Sequence, residues 1–127
     1  MKKYLIILIL AIGIILAVRV AEEKEVPVFS SIVKEMGYDD VFEKPYEVVR
    51  LTIPKEFSTV WENYNNLLKE KGYDLIPYKG KKCTRYTYLI PSQNARANIL
   101  VYEGEIIGGD ISSITLDGVM LPIEKNN

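Results

Sequence analysis

The feature that most constrains this chain is an unbroken apolar run, Tyr4 to Val18, entered by Lys2 and Lys3 and left through Arg19, Val20 and Ala21 into an acidic cluster. Eleven Leu, Ile and Val residues lie between Leu5 and Val18. At roughly −0.3 to −0.6 kcal/mol each, they favour bilayer insertion by about 3 to 7 kcal/mol. Such a run is a targeting segment rather than part of a core, so whatever folds must do so with the remaining 100 or so residues. Two readings compete: a signal anchor kept as a single transmembrane helix over residues 1–21, or a cleaved signal peptide. Cleavage after Ala21 puts Arg19 three positions back, and cleavage after Ala17 puts no small residue there, so the anchor is the reading adopted. Seventeen residues at ~1.5 Å each reach about 25 Å, which snorkelling by Arg19 and slight bilayer thinning extend to a full crossing. The lysines place the amino end in the cytoplasm and the rest outside, as a single-pass protein of the cell membrane. Gly13, Ala17 and Ala21 recur at four-residue spacing, a pattern compatible with self-association of the helix, although small residues are common in such helices anyway.

Residues 22–27 read as a charged linker and residues 28–127 as one extracytoplasmic domain. The chain has 16 Lys plus Arg and 17 Asp plus Glu; without Lys2, Lys3 and Arg19, the exposed part carries 13 against 17, or −4. That balance and the external location speak against nucleic acid. A short helix fits Phe29 to Met36, stopped by Gly37. Residues 46–53 alternate as a strand, ended by Pro54. Phe57, Val60, Trp61, Tyr64, Leu67, Leu68 and Lys71 then recur at helical spacing, giving a long amphipathic helix over 55–71 closed by Gly72. Three strand-like runs follow, 82–90, 97–103 and 105–112. Glu103-Gly104 is a two-residue hairpin connection, and Asp117-Gly118 a further turn. Gly108 and Gly109 inside the last run imply a bulge or a close backbone approach under the helix. The expected fold is α+β: the helix packed on an antiparallel three- or four-stranded β-meander, in two layers. SSIVKEMGYD at 30–39 and NNLLKEKGYD at 65–74 echo each other, as a duplication or simply as two similar helix ends.

Chemistry is sparse. The sequence has no His and one Cys, which removes the commonest general base, the thiolate zinc site and the disulfide. Cys83 lacks a base to activate it and reads as a small hydrophobe in a strand. Ser31 and Lys34 match the S-x-x-K spacing of penicillin-recognising enzymes without the companion motifs, and the chain is too short for that fold. The Gly108-Gly109-Asp110 segment sits in a strand rather than before a helix, so it is no phosphate cradle, and no metal or cofactor is expected. A carboxylate-only hydrolase using Glu103, Glu105, Asp110 or Asp117 is the remaining catalytic reading, and it needs two carboxyls roughly 5 to 10 Å apart. The tyrosines stand out, eight of the nine lying in the exposed domain. Tyr86 and Tyr88 beside Lys79, Lys81, Lys82 and Arg85 would make a basic-aromatic surface if they do not fill the core.

The segments LTIPKEFSTVWENYNNLLKEKGYDLIPYKG and GKKCTRYTYLIPSQNARANILVYEGEIIGGDISSITLDGVM carry a resemblance. Its features are the Ile-Pro before the helix, Gly72-Tyr73-Asp74-Leu75, the run from Gly80-Lys81 to Tyr88, Val101-Tyr102, and Ile107-Gly108-Gly109-Asp110 through Leu116-Asp117-Gly118. Over residues 50–121 the chain resembles a family of small membrane-anchored or secreted bacterial proteins, mostly of Gram-positive Firmicutes, built on a domain of unknown function. The resemblance implies architecture and location and transfers no site residue. The function expected is thus a non-enzymatic, membrane-anchored module that binds or regulates another envelope protein. The alternative is binding of an anionic envelope polymer or lipid headgroup through the basic-aromatic patch.

Overall fold

The computed structural model describes residues 29–115 and 119–125. The anchor expected over 1–21, the linker over 22–27 and the Asp117-Gly118 turn lie outside the described residues. Among the described residues, no helix is long and apolar enough to cross a membrane.

The elements are α1 (Ser30–Glu35), β1 (Glu47–Thr52), α2 (Thr59–Lys69), β2 (Lys82–Ile90), β3 (Ala95–Tyr102), β4 (Glu105–Ser113) and β5 (Met120–Pro122), with single 3-10 turns at Ile76–Tyr78 and Pro91–Gln93. The strands form one antiparallel sheet in chain order, β1-β2-β3-β4-β5. The α+β meander is therefore as expected, with five strands instead of three or four. β5 escapes a sequence reading because three residues are too few to display alternation.

The expected helix over 55–71 is shorter, 11 residues. Its start is decided by Ser58, whose hydroxyl accepts from the Trp61 N–H at 3.4 Å, so residues 55–57 stay outside. Phe57 packs instead against the first turn, its ring 5.9 Å from that of Trp61. The two echoing segments end their helices identically. Gly37 N–H bonds Lys34 O and Tyr38 N–H bonds Val33 O; Gly72 N–H bonds Lys69 O and Tyr73 N–H bonds Leu68 O. These are the paired bonds of a Schellman motif, with φ of +101° at Gly37 and +94° at Gly72, where glycine is the favoured residue. The echo follows from a shared way of stopping a helix.

Laterally paired residues share a sheet face and neighbours along a strand alternate. Tyr86, Ile99 and Ala97 thus lie on one face, with Tyr88 and Ile111. α1 covers it: the Phe29 ring sits 5.1 Å from that of Tyr86, and Ile32 and Val33 are buried. α2 packs on the opposite face, Leu68 lying over Gly108 with no room for a Cβ between them. Each face carries a helix, so the two-layer expectation is corrected to a sheet between two helices. A bulge interrupts β3–β4 where Leu100 pairs with Gly108 but Val101 with Ile106, leaving Ile107 as the extra residue. Glu103 and Gly104 both take positive φ, 49° and 82°, as a tight hairpin of the expected kind requires.

Candidate functional site

α2 is too short to cover its sheet face completely. From the register, that face carries Glu47, Val49 and Leu51 of β1, Cys83, Arg85 and Thr87 of β2, Asn98 and Leu100 of β3, and Asp110 and Ser112 of β4. The helix reaches as far as Tyr64, whose Oη donates to Asp110 Oδ1 at 2.6 Å. Beyond that point the sheet is open among the described residues.

Asp110, 3% exposed, organises the boundary. Besides Tyr64, it accepts from Asn98 Nδ2 at 3.2 Å and from the Ser112 hydroxyl, while Thr87 Oγ1 donates to Asn98 Oδ1 at 2.8 Å. A buried carboxylate held only by neutral donors is well satisfied and not aimed at solvent. Burial, and then the Asp110 charge, push the Tyr64 phenol far above its ordinary range, so it remains a donor.

Two hollows meet over this network. One, of about 370 Å³, is an apolar groove between α2 and the sheet lined by Leu51, Trp61, Leu100 and Met120. The other, of about 320 Å³, is polar and lies over the uncovered strands, with Glu47, Thr87, Arg96 and Ser112 around it. Arg85 and Asn98 line both. Arg85 Nη2 donates to Glu47 Oε1 at 2.7 Å, whereas its Nε is buried without a hydrogen-bond partner among the described residues.

The six residues singled out in the sequence are not brought into one surface. Tyr88 is fully buried, and Tyr86 is half-buried against Phe29. Arg85 points to the opposite face, because β2 alternates. Lys79 sits 4.6 Å over the Phe57 ring, and Lys81 and Lys82 are exposed at the entry to β2. The expected basic-aromatic patch is thus corrected: its tyrosines belong to the core on the α1 face, and the three lysines are exposed at the surface. Among the carboxylates, Glu103 and Glu105 are exposed at the β3–β4 turn, and Glu105 lies about 16 Å along β4 from Asp110 at ~3.3 Å per residue, outside the range of a glycosidase-like pair. Asp117 lies outside the described residues. Cys83 is buried, which raises its thiol pKa, as a core residue. Among the described residues, no three Cys, Asp or Glu side chains could hold a metal ion.

The polar face escaped the sequence reading because its members are contributed one or two at a time by four strands. The signal present, Thr87, Asn98, Asp110 and Ser112 each standing where an apolar residue would complete the alternation, becomes visible only once the register is known.

A family model described as a domain of unknown function, DUF4830, matches residues 33–111, from α1 to β4 and more than half of the chain. No curated protein and no solved structure matches.

Proposed function

The chain belongs to the DUF4830 family, and we propose that it is a non-enzymatic binding module, held at the outside of the cell membrane by residues 4–21, that contacts another envelope protein. The observation that carries this reading is the part of the sheet face that no described residue covers. An apolar groove and a polar hollow join there at Arg85, which has donors to spare. Sites with an apolar wall and a few fixed polar groups are how proteins recognise partners. The membrane part rests on the apolar run and the flanking lysines of the sequence.

Cross-linking of the tagged full-length protein on intact cells, followed by membrane solubilisation and mass spectrometry, tests it. One stoichiometric envelope protein is expected, lost when Arg85→Met is introduced. Recovery of the chain alone, or of the same partner with the variant, would count against this site. A second reading, binding of an anionic polymer or headgroup, is supported by the exposed lysines 79, 81 and 82. It requires affinity that falls steeply with salt, since exposed charges are screened beyond ~10 Å at 0.1 M.

A further inference from the structure

We infer that the groove between α2 and the sheet takes a hydrophobic segment of a partner protein ending in, or carrying, a carboxylate, with an apolar side chain against Trp61 and the acid on Arg85. The inference rests on the reading of the domain as a binding module, and it names what is bound.

Three observations point to this chemistry. The groove, about 370 Å³, has a wall of Leu51, Trp61, Leu100 and Met120, which suits one bulky apolar group. At the groove the guanidinium of Arg85, about one-third exposed, makes one ion pair among the described residues, through Nη2 to Glu47. A guanidinium has five N–H donors in a fork matched to carboxylate oxygens, so one ion pair leaves donors of a partly exposed group for a second acceptor. Glu47 therefore occupies one arm of a site that a second carboxylate can complete or take over. Asp110, the other acid at the groove, is committed to Tyr64, Asn98 and Ser112 and does not compete for Arg85.

The shape favours a protein segment over a small free acid. The apolar lining ends in an exposed rim, with Val60 76% exposed and Met120 44%. A small molecule filling the groove would leave that rim in water, whereas a peptide running out of the groove would cover it.

Trp61 is the sole tryptophan of the chain and lines the groove, so its emission reports occupancy directly. The test titrates the full chain, in zwitterionic lipid vesicles, with the acetylated peptide Ac-Ala-Leu-Leu-Phe as the free acid and as the C-terminal amide. The acid is expected to bind about tenfold more tightly than the amide, the size of one charge-assisted contact. Arg85→Met should abolish that preference. Glu47→Gln, which frees the guanidinium, should tighten the acid by roughly threefold, a gain that misfolding cannot produce. Equal binding of acid and amide, a preference that survives Arg85→Met, or no response of Trp61 in a chain with native circular dichroism would overturn the inference. So would 4-phenylbutyrate binding as tightly as the peptide, since the rim would then contribute nothing and the occupant would be a small acid. Should cross-linking recover no envelope protein while the peptide acid still titrates Trp61, the groove chemistry stands and the envelope-partner reading falls.

Discussion

At the residue scale, the most informative side chain is Asp110. Burying a carboxylate without a cation is expensive unless its lone pairs are filled, and here Tyr64, Asn98 and Ser112 fill them. Tyr64 also joins α2 to β4 by a bond spanning 46 residues of sequence. Tyr64→Phe keeps the ring and removes the donor, leaving a buried carboxylate oxygen short of a partner. It should cost about 1 to 3 kcal/mol, read as a lower urea midpoint with an unchanged slope. An unchanged midpoint would mean that water replaces the phenol and that the network is not closed. In the sequence Asp110 is only an acid beside two glycines. Its role is hidden because its partners are 46, 12 and 2 residues away, and nothing local to it signals a tyrosine on another element.

At the element scale, the Gly108-Gly109 pair shows how a helix is seated on a sheet. A Cβ at Gly108 would meet Leu68 Cδ1 at 2.7 Å, the movable end of a side chain. A Cβ at Gly109 would meet the Asn98 backbone carbonyl, which cannot swing aside, and would also come within 3.0 Å of Ile123 Cδ1. Gly108→Ala is therefore expected to cost about 1 to 2 kcal/mol through repacking, and Gly109→Ala upwards of about 3 kcal/mol or the fold itself. Thermal melts of the two variants would show the order, and a milder effect at Gly109 would contradict this seating. Here the sequence was legible: two glycines in a strand announce a bulge or a close approach, and both are present. The ends of α1 and α2 were legible for the same reason, since a Gly-Tyr stop acts within six residues. The start and exposed side of α2 were less so. The helical spacing counts Val60 into the apolar stripe and Asn65 out of it, yet Val60 is 76% exposed and Asn65 3%. Asn65 faces inward because its amide bonds Asp74 at 2.9 Å and accepts from the Leu75 N–H at 2.7 Å, holding the chain that returns to the sheet.

At the scale of the whole molecule, stability couples to alkaline pH through the buried phenols. Burial pushes Tyr88 up to about 12, and Tyr64 is shifted the same way. Below pH ~10 these groups are protonated in both states and contribute no pH dependence; above it the unfolded chain ionises while the native one keeps its protons. Stability should thus be level up to about pH 9 and fall between about pH 10 and 12, by about 1.4 kcal/mol per unit for each such tyrosine. Chemical denaturation across that range measures it, and Tyr88→Phe should make the fall shallower; a flat profile would place these rings in water. What the sequence by itself determined is everything carried by short-range pattern: strands β1 to β4 by their apolar runs and alternation, the hairpin by Glu103-Gly104, the helix ends by their glycines, the apolar run ahead of the domain, and the scarcity of catalytic side chains. What only the tertiary structure decided is which side chains each face hides. Alternation says that Tyr86 and Arg85 point apart, but not that α1 lands on the tyrosines while α2 stops short over the arginine. That choice is made by contacts between segments far apart in the chain, whose energies depend on the joint placement of α1, α2 and five registered strands.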